Sequence, residues 1–330
     1  MGIKCKAVVF TEPRQVEVRQ IELPEGDRGD IVVRTLYSGI SAGTELWSLT
    51  GKYWCTRFPT IPGYQKVGVV EQVGKEVTGY KSGDVVYLRF TRVTPGTNVE
   101  WAGHTGWSVV SASEPEMFKI PPNLSRTEAA LLCMPAVGYH GAAEVMPVEK
   151  GQWVVVIGLG MIGQYSAQTA NMLGARVIGL DLLDDRLKLA ADHAGAITIN
   201  PSKEDPAETI KKHCGDGVDA VIDTSAHTET INASFHWLHA GGRYCLQGYY
   251  PDRTPLDLLW PHAKELVIYN PTNCTPEGQR TCARNLADGK MHMKSMITHV
   301  VPADEAPAMY DMLLNRRQEA MGIVLDWQKG

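Results

Sequence analysis

Gly158-Leu159-Gly160-Met161-Ile162-Gly163 is the stretch whose spacing most directly implies chemistry. It closes an apolar run, WVVVIG at 153–158, and opens MIGQYSAQTANMLGA, which suits a helix. In that setting Gly158 permits a tight turn, and Gly160 lets backbone approach a pyrophosphate. Gly163 lets helix and strand pack closely. The helix start at Met161 and Ile162 offers unpaired N–H groups and a positive dipole end to phosphates. Asp181 ends the second apolar run, RVIGLD, about 20 residues further on. A carboxylate there accepts both ribose hydroxyls of NAD and repels the 2′-phosphate of NADP, and Leu182-Leu183 adds no compensating cation. The plain alternative is a glycine turn that binds nothing.

Other chemistry-bearing residues are sparser. Cys5, Cys55, Cys133, Cys214, Cys245, Cys274 and Cys282 are odd in number, and no two are spaced C-x-x-C. That argues against a disulfide framework and a zinc knuckle, and for a reducing cytoplasm. His104, in Ala102-Gly103-His104-Thr105-Gly106, titrates near neutrality and could serve as a base, or could simply be a solvated loop histidine. The Gln247-Gly248-Tyr249 loop follows a fifth apolar run, GRYCLQ, and loops at strand carboxyl ends line the ligand crevice of an open α/β sheet.

The elements that must position these groups fall into two kinds. Residues 4–10, 31–37, 67–73, 84–89 and 107–111 read as strands bounded by Gly, Pro, Asp and Ser, with no helical period before residue 120. From Pro121-Pro122-Asn123 onward, strands alternate with helices, which implies right-handed crossovers and a parallel sheet. The strand candidates are 153–158, 176–181, 196–200, 219–224, 242–247 and 265–270. Mixed character returns after 271, with helices over 276–288 and 303–316 and strands at ITHVVP and MGIVLDW.

The chain has 330 residues, about two domains at roughly 100–200 residues each. Apolar residues at 44% and charged residues at 21% are globular proportions and exclude wholesale disorder. A net charge of −5 offers no field for nucleic acid. No apolar run is long enough to span a bilayer, and the N-terminus does not read as a signal peptide.

With the nucleotide motif in mid-chain, the whole resembles the medium-chain dehydrogenase/reductase superfamily. Ser38-Gly39-Ile40-Ser41-Ala42-Gly43-Thr44-Glu45-Leu46 looks like its G-I-C-G-T-D-L stretch, and Ile61-Pro62-Gly63-Tyr64-Gln65-Lys66-Val67-Gly68 like its P-G-H-E-x-x-G stretch. Ala136-Val137-Gly138-Tyr139-His140-Gly141-Ala142 looks like the lead into its nucleotide domain. The resemblance implies a GroES-like β domain built from both chain ends, 1–124 and 272–330, around a Rossmann domain at 125–271. The catalytic zinc ligands of the family would fall at Ala42, Tyr64 and Cys133, and one thiolate cannot build that site. Residues 91–105 also lack the four cysteines of the structural zinc lobe. No zinc of either kind is expected. The G-I-S-x-G-T-E pattern, Pro62-Gly63-Tyr64 and the closing V-L-D-W look like a zinc-free branch that includes bacteriochlorophyllide-type hydroxyethyl dehydrogenases, although Gln65 replaces the acid usual after the tyrosine.

The resemblance also suggests roles. Tyr64 would stand in the cleft as base or as substrate orienter. A base would need a cation such as Lys66 to lower its pKa. Thr44 would contact the substrate oxygen. Glu45 would be a second base or a structural carboxylate. Trp47 takes the place of a relay histidine, and with Gln65 and Tyr249 would line the substrate. The expected function is zinc-independent, NAD-dependent oxidation of a secondary alcohol of a sugar, polyol or cyclitol. The alternatives are a hydroxyethyl-chlorin dehydrogenase, a quinone or enoyl reductase, or a non-catalytic nucleotide binder. A homodimer is expected through ELVIYN at a sheet edge.

Overall fold

A computed structural model describes residues 2–329. The chain forms two compact units, Met1–Cys133 with Met293–Gly330, and Met134–His292.

The middle unit carries a six-stranded sheet in the order Ile197–Ile199, Arg176–Leu180, Trp153–Ile157, Val218–Asp223, Leu238–Leu246, Val267–Tyr269. Every neighbouring pair is parallel. Successive side chains on a strand point to opposite faces, and both faces here are apolar. Val154 and Val156 join one buried cluster with Ala167 and Leu187, while Val155 and Ile157 join another with Ile210 and Phe235. That is why WVVVI reads as an unbroken apolar run. The order reverses at Trp153–Ile157, so the crevice at its carboxyl end is where a ligand belongs.

The other unit is mostly β. Its larger sheet runs Ile297–Pro302, Gly322–Asp326, Asp30–Ile40, Lys66–Val73, Val85–Leu88, Phe118–Lys119, with Trp107–Ser111 also paired to Asp30–Ile40. The C-terminal return is therefore part of the sheet: Gly322–Asp326 lies antiparallel to Asp30–Ile40, with Leu325 opposite Ser38.

Several expectations need correction. The strand Gln15–Leu23 pairs with Ile3–Glu12 but escapes notice, because its charged residues face solvent and leave little apolar signal. A helix, Thr44–Leu49, stands where no helical period is visible. Six residues are under two turns, and two of its buried residues, Glu45 and Ser48, are polar. The unit boundaries fall later than 124 and 271. The helix Pro276–Ala287 goes with the nucleotide unit, where Thr275 Oγ1 donates to Glu144 at 2.9 Å and Gln168 Nε2 to the His292 carbonyl at 3.2 Å. Residues 125–133 stay with the β unit, where Gly39 packs so closely that a Cβ would lie 2.5 Å from the Ala130 carbonyl oxygen. All seven cysteines are free thiols. Among the described residues no helix is long and apolar enough to cross a membrane.

Candidate active site

The glycine turn leaves the strand Trp153–Ile157 and enters the helix Met161–Met172. Gly158 has φ +80°, which an L side chain rarely adopts. A Cβ on Gly163 would lie 1.8 Å from the Gly158 carbonyl oxygen, so this contact admits only hydrogen. Gly160 is the opposite case: a Cβ there would meet nothing within 4 Å, so its backbone faces open space. The first ladder donor is the Gln164 N–H, to Gly160, which leaves the N–H groups of Met161, Ile162 and Gly163 ahead of the ladder. Asp181 Oδ2 accepts the Leu159 N–H at 2.7 Å and Oδ1 accepts the Leu183 N–H at 2.9 Å. The carboxylate is thereby fixed at the turn. Arg186 Nη1 stands 3.8 Å from it, so a cation does accompany the acid, brought round by the first turn of the helix Asp184–Ala194.

The loop after Leu238–Leu246 behaves differently from expectation. Gln247 turns inward, and its Nε2 donates to the Val137 carbonyl at 2.6 Å. It is a tie within the unit. The Gly248 N–H donates to the Asp223 carbonyl at 3.1 Å. Tyr249 is half-buried in the same loop. Asp223, which sequence reasoning missed, is fully buried and accepts from Ser225 Oγ, the Ala226 N–H and Tyr250 Oη. Burial raises its carboxyl above the usual range. Its place at the carboxyl end of Val218–Asp223 was the available signal.

In the β unit, Tyr64 is buried and its hydroxyl donates to Ser41 Oγ, with Thr44 Oγ1 at 3.4 Å. Thr44 begins the short helix and is half-exposed. The Tyr64 ring is held by the edge of Trp101, at a centroid distance of 5.0 Å, and by the Arg89 guanidinium at 5.3 Å. Arg89 Nε donates to the Tyr64 carbonyl at 3.0 Å, and Nη1 pairs with Glu116. Burial pushes the Tyr64 phenol well above the ordinary tyrosine range, and nearby Cys133 adds to the effect. It is neutral at physiological pH.

Lys66 does not serve Tyr64. Its Nζ donates to Thr105 Oγ1 at 2.9 Å and to the Ala102 carbonyl at 3.3 Å. Burial pulls it down to about 7. The cation against the Tyr64 ring is Arg89, at the end of the strand read over 84–89 and given no role there. Gln65 is also internal. Its Nε2 donates to the Gly39 carbonyl at 3.3 Å and its Oε1 accepts the Cys133 N–H at 3.1 Å, so both ends of the amide bind backbone and not substrate. Cys133 is fully buried.

His104 is fully buried, not a solvated loop residue. Its Nδ1 lies 2.8 Å from Ser38 Oγ and its Nε2 lies 3.0 Å from Glu45 Oε2. Glu45 also accepts the Ser41 N–H at 2.9 Å and the hydroxyl of Tyr310. The Trp327 indole N–H donates to Ser38 Oγ at 2.8 Å. Gly63 makes room for the imidazole, since a Cβ there would fall 2.6 Å from His104 Cδ2. Glu45 and His104 thus underpin the turn that carries Ser41 and Thr44. Trp47, half-buried on the same helix, lies under the Lys52 ammonium at 5.7 Å.

Two family profiles match the chain. Residues 27–114 match the alcohol dehydrogenase GroES-like domain, and residues 161–287 match the zinc-binding dehydrogenase family. An alcohol dehydrogenase of Geobacillus stearothermophilus is 28% identical, covering 93% of this chain and 95% of that protein. The chain belongs to the medium-chain dehydrogenase/reductase superfamily. That places it among oxidoreductases, with the GroES-like and Rossmann-like parts in the order observed. A putative D-xylulose reductase of Agrobacterium fabrum is 27% identical over 95% of this chain and 97% of its own. The solved alcohol dehydrogenase of Thermus sp. ATN1 superposes with a TM-score of 0.82 at 25% identity, covering 97% of this chain and 99% of that one. Of the three positions at which the resemblance would put metal ligands, Ala42 has no ligating atom, and Tyr64 and Cys133 are buried. Among the described residues no three His, Cys, Asp or Glu side chains are grouped to hold a metal ion.

Proposed function

We propose that this is a cytoplasmic, zinc-independent, NAD-dependent dehydrogenase that oxidises a secondary alcohol of a sugar, polyol or cyclitol. The observation that carries the reading is the hydroxyl cluster of Ser41, Thr44 and Tyr64, which occupies the metal-ligand region. An alanine, a phenol and one buried thiol do not fit a three-ligand zinc site, so no step is drawn through a metal. The polyol class is supported by the likeness to the D-xylulose reductase.

The nucleotide residues fit a dinucleotide. Gly160 opens onto space, the Met161–Gly163 N–H groups precede the helix ladder, and Asp181 presents its carboxylate beside the turn. A bound nicotinamide would supply the hydride acceptor. Thr44 and Tyr64 orient the alcohol by hydrogen bonds to its oxygen. A neutral, buried phenol is a poor standing base but a good relay. Tyr64 takes the alcohol proton as it gives its own to Ser41, and Ser41 in the same step releases its hydroxyl proton to solvent water, so neither side chain carries net charge. The carbinol thereby loses a hydride and a proton and becomes a carbonyl.

The test is the initial rate of coenzyme reduction with NAD and with NADP across sugars, cyclitols, polyols and hydroxyethyl chlorins, with the metal content measured alongside. Turnover is expected with NAD and with less than one zinc per chain. A strong preference for NADP, which Arg186 beside Asp181 would then explain, overturns the coenzyme assignment. One tightly held zinc per chain overturns the relay. The edge strand Val267–Tyr269, with Val267 47% exposed, supports a homodimer. A single-chain species alone in sedimentation at micromolar concentration would contradict it.

A further inference from the structure

Aromatic side chains run outward from the Tyr64 ring within the β unit. Trp101 meets Tyr64 at 5.0 Å between centroids, Tyr53 meets Trp101 at 5.5 Å, and Trp54 meets Tyr53 at 6.2 Å. Exposure rises along the line. Tyr64 is buried, Trp101 and Tyr53 are half-buried, and Trp54 is 81% exposed. An indole buries 150–250 Å² when it can, and one so exposed at the end of a continuous aromatic strip leaves apolar area open to a partner. The strip starts at the hydroxyl that orients the alcohol. Its occupant is therefore best sought in the substrate itself.

We infer that the substrate carries its secondary alcohol on a ring and extends through a second, apolar ring that packs against the tilted faces of Tyr53 and Trp54. The inference rests on the dehydrogenase reading above and names its substrate class more closely. An open-chain polyol would reach Tyr64 and Thr44 but leave the strip bare. A lone ring would meet Trp101 only. A ring-extended alcohol covers all three outer aromatics, and such contacts act on ground state and transition state alike, so they lower KM more than they raise kcat.

The experiment compares 2-hexanol, cyclohexanol and 4-phenylcyclohexanol, and in parallel sorbitol, myo-inositol, glucose and phenyl glucoside, as initial rates with NAD and NADP. The expected result is a KM about tenfold lower for each phenyl-bearing alcohol than for its single-ring counterpart. In Trp54→Ala that ratio should fall toward one, and Trp54→Phe should keep part of it. Trp54 is exposed, so both variants should fold, which circular dichroism would check. A wild-type ratio near one, or a ratio that Trp54→Ala does not move, overturns the inference while leaving the dehydrogenase reading standing. So does a shift in sedimentation in Trp54→Ala with an unmoved ratio, which would assign the indole to a contact between subunits. No coenzyme reduction with any of these alcohols overturns the dehydrogenase reading itself.

Discussion

The glycine turn of the nucleotide unit and the hydroxyl cluster of the β unit are built on different principles. The turn is made of backbone. Gly158, Gly160 and Gly163 act through missing side chains, and six consecutive residues hold most of what it needs. The cluster is made of side chains from distant places. Ser38, Ser41, Thr44 and Glu45 come from one strand, the turn after it and the short helix that follows, Tyr64 and Arg89 from either side of the next hairpin, His104 from a loop, and Tyr310 and Trp327 from the C-terminal return. A backbone site tolerates wide variation around it and almost none within it. A side-chain site depends on each partner being satisfied, because a buried polar group without one is costly.

The sharpest way to probe that contrast is Tyr64→Phe. It removes one hydroxyl and no packing, so the fold should hold while kcat falls by about 10²–10⁴, the usual contribution of a positioned proton-transfer group. A loss under about threefold in initial rates would show that the phenol only fills space. Glu45→Ala should follow in size. It strips a buried acceptor from His104, Tyr310 and the Ser41 N–H, and each buried donor left unsatisfied costs about 1–3 kcal/mol of stability. Denaturant unfolding would register this, and dinucleotide binding by calorimetry should survive wherever the protein stays folded. Gly163→Val tests the other region. Its Cβ would collide with the Gly158 carbonyl, so nucleotide binding should vanish and stability fall by about 1–3 kcal/mol. Gly160→Ala should weaken binding with no loss of melting temperature, since its Cβ meets no protein atom.

The last expected effect is a slope of stability with pH. Lys66 titrates at about 7 in the folded protein because burial disfavours its charge, against about 10.4 in an unfolded chain. Between those values the unfolded chain binds more protons, so this residue makes stability rise with pH through that window, by up to about 1.4 kcal/mol per pH unit. Below 7 its contribution is flat. Lys66→Met should flatten the slope of unfolding free energy between pH 7 and 9. An unchanged slope would mean that the ammonium stays charged on Thr105 and the Ala102 carbonyl.

Legibility in the sequence follows the same division. The parallel sheet and its turn were readable because both are local: VVVI is apolar on both faces, and glycine spacing encodes the turn. Strand Gln15–Leu23 and helix Thr44–Leu49 were hidden because their apolar signal is thin or short. Tyr64 and Thr44 came from likeness to a family, and their partners did not. Nothing in the spacing of His104, Glu45 and Tyr310 announces that they share hydrogen bonds across up to 265 residues of chain. Lys66 lies two residues from Tyr64 and bonds elsewhere, whereas Arg89 bonds to the Tyr64 backbone and packs on its ring.

The indole of Trp327 on Ser38 has a consequence for how the protein is made. Chains emerge from the ribosome N-terminus first, and domains fold as units once they are complete. The nucleotide unit ends at His292 and can close while the tail is still being synthesised. The β unit cannot. Its sheet awaits Gly322–Asp326 beside Asp30–Ile40, and its hydroxyl cluster awaits Tyr310 and Trp327. A chain truncated before residue 310 and released should hold dinucleotide and be inert toward alcohol, so that coenzyme binding needs less of the chain than catalytic competence does.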